Sequence, residues 1–449
     1  MTFAAENNGN MSDTLTITIP HNNLQERKYI LHVLFSEMLG LKTKILVKDV
    51  EDYECAIGNG NRVIIKDAFF SRYKEDLSYL RHGALPAAIH YARNDFIAEN
   101  DIPVIYGTDE IRRDKRSIIC NIDIFASSFF MLSRWEEFVI KDRDEHDRFP
   151  TRAGAAYKNK FILRPVVNEY VEMLWNMLLS LGFKAERKKS SYELVVTHDV
   201  DRLYYRPLAG IMREFLKTRQ IKRFIVGLYY YSMRVEPDYA FEYLMSLSER
   251  CNVKSRFYFI GGGDGKYEKY YSINDAAVKK LFDKILKRNH MFGFHPSYDT
   301  IHNHVQWKKE KENIENKINK KIEEGRQHYL RFENPATWRL WDENGMRIDS
   351  TMGFSDYMGF RCGTGNIFPV FDVLSRKMLT LKERPLIIMD SAIKKMGNKH
   401  KTYEIMARLK EKSMKYGMTF TILFHNHSMD RTVWNRFRDM YESILGISN

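Results

Sequence analysis

The run Tyr192-Glu193-Leu194-Val195-Val196, followed by Thr197-His198-Asp199-Val200-Asp201-Arg202, decides how this chain is read. Its first five residues have the apolar, β-branched character of a buried strand. The strand ends in two carboxylates one residue apart. Such a pair suits a metal-dependent hydrolase, in which one carboxylate holds a cation and the other takes a proton from water. The competing structural role is plain: an Asp at a strand end ordinarily caps the next turn.

Working outward from that run, strand candidates recur at 192–196, 255–260, 290–294, 328–332, 385–389 and 418–424, each followed by helical pattern. Alternating β and α over this length predicts a parallel α/β sheet or barrel. Several of these strands end in chemistry. Phe292-Gly293-Phe294 leads into His295-Pro296-Ser297-Tyr298-Asp299, and Pro296 keeps the chain extended beyond the histidine. Gly325-Arg326-Gln327-His328-Tyr329-Leu330-Arg331-Phe332 carries two arginines and a histidine, and Thr419–Phe424 delivers His425-Asn426-His427. Parallel barrels collect function at the carboxyl ends of their strands, so the recurrence favours one site over scattered surface polars. His302 and His304 open a charged helix at 305–324 and read as surface residues. Tyr298, Tyr329 and Trp338 stand near strand ends, where aromatic rings can stack on sugars, although core packing is the commoner role.

The first part of the chain reads differently. Thr14–Ile19, Lys44–Val47 and Arg62–Ile65 alternate like strands around a helix at 27–39 that stops at Gly40. Asp123 is placed to cap a helix, the charged stretch 141–154 is a loop, and Val166–Leu181 is a helix stopped by Gly182. The fold class is therefore α/β, with a smaller α/β domain over 1–189 preceding the parallel α/β sheet or barrel over 190–449. The 449 residues also exceed what one core usually holds.

Composition narrows the classes of function. Hydrophobic residues make up 44% of the chain and aromatics 13%, enough for full cores. Cys55, Cys120, Cys251 and Cys362 form no Cys-x-x-Cys pair, which argues against a zinc knuckle or a disulfide framework. The excess of 71 Lys and Arg over 58 Asp and Glu gives +13, which suits nucleic acid, an anionic membrane or an acidic substrate alike. No recognition-helix or zinc-finger pattern supports nucleic acid as the partner. The opening residues lack a signal-peptide pattern and no run is long enough to span a bilayer, so a cytoplasmic location is expected.

Taken together, these motifs resemble the polysaccharide deacetylase family, carbohydrate esterase family 4, over roughly residues 190 to 449. Leu132-Ser133-Arg134-Trp135-Glu136-Glu137, Thr197–Asp201, His295-Pro-Ser-Tyr, Arg326-Gln-His-Tyr-Leu-Arg, Gly359-Phe-Arg-Cys-Gly-Thr and His425-Asn are similar to a bacterial branch with an N-terminal domain of unknown function. The resemblance implies a distorted (β/α) barrel that removes acetyl groups from N-acetylated sugars of envelope polysaccharide or its precursors. It also implies a divalent metal ion, zinc in many members. Asp199 matches the catalytic base and His425 the acid that protonates the leaving amine, a task suited to a pKa near neutrality. Arg326 and Arg361 both match the family's arginine, which fixes the base or meets the acetyl oxygen.

Two departures bear on the metal. The family's adjacent aspartates are separated here by Val200, which moves the metal role to Asp201. The family's His-x-x-x-His has Asp299 at its second position, so the ligands beside Asp201 and His295 are completed by either His328 or Asp299. That alteration also motivates a second reading, a carbohydrate-binding protein on a decayed deacetylase fold; a third class is a basic scaffold protein of an envelope-assembly complex. Finally, Arg213–Arg234 mixes basic and large apolar residues. Phe215, Leu216, Phe224, Ile225, Leu228 and Tyr229 suit an apolar face, and Lys217, Arg219, Lys222 and Arg223 suit anionic lipid. This predicts peripheral contact with the inner membrane and a lipid-linked glycan as the substrate. Oligomeric state is not legible.

Overall fold

A computed structural model of the chain describes residues 15–58, 60–203, 208–232, 238–263, 265, 267–268, 271–429 and 435–447. Residues 1–14 and Arg234 lie outside the described residues. The fold is mixed α/β and divides into two compact units.

The first unit comprises the described residues of Met1–Asp142, Arg152–Ser191 and Cys362–Leu379. Strands β1 (Leu15–Ile19), β2 (Thr43–Val47), β3 (Tyr53–Ala56), β4 (Arg62–Ile65), β7 (Gly107–Arg113) and β8 (Ser117–Ile122) form one sheet in the order β2-β1-β3-β4-β8-β7. The short strands β5 (His90–Ala92) and β6 (Ile102–Val104) pair separately. The helix predicted over 27–39 is α-helical over Leu24–Leu31 and continues as a π-helix over His32–Met38. Asp123 does cap the helix Ile124–Ser133, accepting the Ala126 N–H at 2.9 Å. Residues 362–379, late in sequence, belong here because they bond here. Gly363 accepts the Val167 N–H at 2.9 Å, and Arg376 forks onto Glu26 with two bonds of 2.8 Å. The returning segment carries β14 (Phe368–Asp372).

The second unit comprises the described residues of Arg143–Thr151, Tyr192–Arg361 and Thr380–Asn449. It is built on β9 (Glu193–Val200), β10 (Arg256–Phe259), β11 (Met291–Phe294), β12 (Glu324–Gly325), β13 (Ile348–Asp349), β15 (Lys377–Glu383, from Thr380 onward in this unit), β16 (Leu386–Met389) and β17 (Thr419–Leu423). The order β15-β13-β12-β11-β10-β9-β17-β16 is parallel at every pairing, which makes a half-barrel rather than a meander. Parallel strands are covered on both faces and so read as continuous apolar runs. Phe257, Tyr258 and Phe259 of β10 and all of Leu386–Met389 are buried. Helices such as Ala276–Lys287 and His304–Ile318 make the crossovers.

One predicted strand is not formed. Residues 328–332 read as β, but the strand there is only Glu324–Gly325, and His328–Leu330 is a 3₁₀ turn in which Tyr329 and Leu330 have positive φ. Gly325 is required by the short pairing that does form. A Cβ at that position would lie 2.1 Å from the Phe294 carbonyl oxygen, so only glycine lets β12 close on β11. The chain then turns over the sheet's carboxyl end and carries Arg326 and His328 with it. Trp338 is a core residue: it is fully buried and donates to Glu383 Oε2 at 3.2 Å, which removes it from the aromatic candidates for sugar stacking.

Candidate metal centre and its supporting shell

Strand β9 sets the geometry. Side chains two residues apart point to the same side of a strand, so the Val200 spacer lets Thr197, Asp199 and Asp201 share one side. Val196, His198 and Val200 face the other way. His198 is accordingly structural: its Nδ1 lies 2.7 Å from the Phe424 carbonyl, and burial pushes its pKa down to about 4. Thr197 ties β9 to β17 through the Ile422 carbonyl at 2.8 Å.

Asp201, His295 and His328 come together, each offering one ligand atom within 4.8 Å of the others. Asp201 Oδ1 lies 3.3 Å from His295 Nε2 and 3.5 Å from His328 Nε2. His425 Nε2 stands 3.5 Å from the second oxygen, Oδ2. Asp299 is exposed on the Tyr298–His302 turn and does not join this group. His302 and His304 are exposed and outside it as well.

The hydrogen bonds behind the imidazoles show what the group can hold. His295 Nδ1 is 2.7 Å from the Arg326 carbonyl, and His328 Nδ1 is 3.1 Å from Glu268 Oε1. Both outer nitrogens face acceptors and so carry the N–H. That leaves both Nε2 lone pairs turned toward Asp201, whose buried Oδ1 has no hydrogen-bond partner. Three ligand atoms converging in this way suit a cation. Two imidazoles and a carboxylate, with carbonyl and carboxylate support behind the rings, are a donor set of the kind zinc takes.

Asp199 sits beside this group without joining it. Its Oδ2 is 3.8 Å from His295 Nε2, and its Oδ1 accepts from Arg326 Nη1 at 2.8 Å. Arg326 is wholly buried and committed in all directions: to Thr197 Oγ1 at 3.0 Å, the Ser350 carbonyl at 2.8 Å and Ser350 Oγ at 3.0 Å. Four of its five N–H groups are thus engaged and the side chain is wholly buried, which suits it to fixing Asp199 rather than meeting a substrate oxygen. Arg361 is engaged elsewhere, donating to the Gly353 carbonyl at 2.7 Å and lying over the Phe354 ring.

His425 is held by Asp390, whose Oδ1 is 2.8 Å from Nδ1 and whose Oδ2 accepts the His425 N–H at 2.9 Å. Burial opposes charging this ring, yet Asp390 and Asp201 hold its pKa up to about 10. Burial would raise Asp390, but His425 holds it down to about 2. Asp201 is likewise kept well below the carboxylate range, by His425 first and then by His295 and His328.

Sequence reading missed two of these residues, Asp390 and Glu268. Asp390 had a signal: it directly follows an apolar strand, as Asp199 nearly does. Glu268 had none, because it lies in an irregular stretch after Gly261-Gly262-Gly263 and reaches His328 only through the fold. Glu268 is buried and also accepts the Tyr298 N–H at 2.7 Å. Beside it, Tyr298 and Tyr329 join Tyr267 and His146 in an aromatic cluster with ring centroids 4.4–5.9 Å apart.

A family model described as a family of unknown function, DUF7033, matches residues 15–182. No curated protein sequence matches the chain. Among solved structures, the chain is similar to one assigned as a polysaccharide deacetylase from Mycobacterium smegmatis, at 14% identity and a TM-score of 0.38, covering 59% of this chain and 87% of that one. A chain from Bordetella bronchiseptica, assigned as a polysaccharide deacetylase involved in O-antigen biosynthesis, aligns at 12% identity and a TM-score of 0.30, covering 57% and 84%. A mutant of a carbohydrate esterase family 4 pseudoenzyme with restored activity aligns at 15% identity and a TM-score of 0.23, covering 53% and 66%.

Proposed function

We propose that the second unit is a metal-dependent hydrolase that removes the acetyl group from an N-acetylated sugar of envelope polysaccharide or its precursor. The observation that supports it most is the buried Asp201 Oδ1, without a hydrogen bond and faced by the Nε2 atoms of His295 and His328. Asp201, His295 and His328 would hold the divalent ion. Bound there, the ion would supply Lewis acidity toward a carbonyl oxygen and lower the pKa of water. The chain's own groups divide the proton work. Asp199, oriented by Arg326, takes the proton of the attacking water. His425, charged and aimed by Asp390, gives a proton to the leaving nitrogen as the C–N bond breaks. Water is consumed, and acetate and the free amine are released. Arg326 acts on Asp199 rather than on the acetyl oxygen.

Acetate release from N-acetylated glycan oligomers by metal-loaded protein tests this reading. The wild type should turn over, and Asp199→Asn should bind metal normally while losing roughly 10²-fold or more in rate, the usual cost of a lost general base. Metal binding without acetate release from any such glycan would instead favour the binding-only reading. Equal metal loss in Asp199→Asn and Asp201→Asn would sink the division of labour.

A further inference from the structure

We propose that the helical hairpin formed by Leu208–Thr218 and Ile221–Ser232 is a docking surface for an anionic lipid bilayer. Large apolar side chains stand exposed at four-residue spacing on both helices: Leu208, Met212 and Leu216 on the first, Ile221, Ile225 and Tyr229 on the second. Spacing of four keeps each set on one helix face. Leu216, Ile221, Ile225 and Tyr229 are each 56–63% exposed. The described residues contain sixteen exposed large apolar side chains, and six fall in this hairpin of twenty-five residues, so the patch is not ordinary surface scatter.

The hairpin's internal packing is already satisfied by other side chains. Phe215 and Phe224 meet with ring centroids 4.5 Å apart, and Ile211 is buried against Gly227, where a Cβ would come within 2.9 Å of it. This corrects the sequence expectation in one respect: Phe215 and Phe224 form the seam between the helices, not the outer face. The Lys217 and Arg223 side chains lie outside the described residues.

Charge selects the occupant. The segment carries five basic residues, Arg213, Lys217, Arg219, Lys222 and Arg223, against the single acid Glu214. Arg213, Arg219 and Lys222 are exposed. A second copy docking face to face would set this positive patch against itself, on a chain already at +13. An anionic lipid surface instead takes the apolar strip into its interface and pairs the basic edge with headgroups. The surface also begins within a short stretch of chain from the candidate site. Leu208 is seven residues beyond Asp201, a stretch that spans at most about 25 Å. A glycan carried on lipid would then be presented close to the metal-binding side chains, a consequence that rests on the hydrolase reading, whereas lipid docking itself does not.

Flotation of the full chain with phosphatidylcholine vesicles, with and without phosphatidylglycerol, at low and high salt, decides the matter without any activity measurement. The chain should float with the anionic vesicles at low salt and be released at high salt. Arg219→Glu with Lys222→Glu should weaken binding at least tenfold, since each basic charge near the surface contributes about fivefold. Leu216→Ser with Ile225→Ser should abolish it. All four positions are exposed, so an unchanged melting temperature is expected and shows that the variants fold. Failure to float, equal flotation with neutral vesicles, or binding that survives both pairs of substitutions would overturn the proposal. So would a dimer in sedimentation that Ile225→Ser converts to monomer, which would assign the face to a second copy.

Discussion

Two buried clusters of charge, one in each unit, come from motif-like runs of sequence, and they differ in how their charges are balanced. In the first unit, Arg134 sits between two helices in the left-handed region and reaches Glu137 at 2.9 Å and Glu136 at 3.3 Å. Glu136 in turn accepts the Ala155 N–H at 2.6 Å. Donors and acceptors are matched and point at one another, as expected of a cluster that holds a fold together. In the second unit, Asp201, His295 and His328 turn acceptors toward a common point, with their donors facing outward to Arg326 and Glu268. A balanced cluster suits a structural role, whereas converging acceptors suit a cation site. Leu132–Glu137 and Thr197–Asp201 look equally purposeful as sequence, and only the direction of their hydrogen bonds tells them apart.

The contrast can be broken most forcefully at Arg134. Arg134→Met leaves Glu136 and Glu137 buried without their counter-charge, and removing one partner of a buried pair typically costs about 3–5 kcal/mol. Urea unfolding should show a loss of that order, while metal affinity stays at the wild-type value. A fall in metal affinity would mean that the first cluster is not purely structural.

Glu268→Gln sharpens the other side. It keeps the shape but weakens the acceptor behind His328 Nδ1, and loss of such a supporting partner typically costs about 10–100-fold in metal affinity. Calorimetric metal titration should show that drop with little change in unfolding midpoint. An unchanged affinity would remove Glu268 from the supporting shell.

The smallest expected effect concerns a third buried group, Asp349 and Glu383. Burial pushes Asp349 up to about 6, and burial together with Asp349 pushes Glu383 well above the usual carboxylate range. Asp349 Oδ2 has no donor, which fits a proton held between the two acids. A carboxyl with a raised folded-state pKa adds stability that is complete below its unfolded value near about 4 and is lost as pH rises through about 6. Wild-type stability should therefore decline from pH 5 to pH 7, by at most about 1.4 kcal/mol per pH unit for each proton released. Glu383→Gln should flatten the decline, and an equal slope in the variant would contradict the shared proton.

What was legible in the sequence follows the same physics. Parallel strands are apolar throughout, so β9, β10, β11, β16 and β17 stood out as runs, and polar residues ending them marked the sheet's carboxyl end. That logic placed Asp199, Asp201, His295 and His425 near one another in advance. It failed at β12, which is only Glu324–Gly325, while the predicted strand at 328–332 is a turn. It also left His328 and Asp299 undecided, because distance along the chain does not reveal that one folds inward and the other faces solvent. Glu268 was out of reach, since nothing local to an irregular loop shows which distant imidazole it will meet. The return of residues 362–379 to the first unit depends on pairings such as Arg376 with Glu26, which no local pattern encodes.

The most direct test of the metal centre is calorimetric titration of zinc into chelator-treated full chain, run in parallel on wild type, Asp201→Ala, His328→Ala and Asp299→Ala. One saturable site is expected in the wild type. Losses in the Asp201 and His328 variants should exceed the about 10–100-fold expected of a supporting residue, and the Asp299 variant should keep wild-type affinity. Absence of a site in the wild type, or a site that Asp299→Ala abolishes and His328→Ala spares, would contradict this assignment.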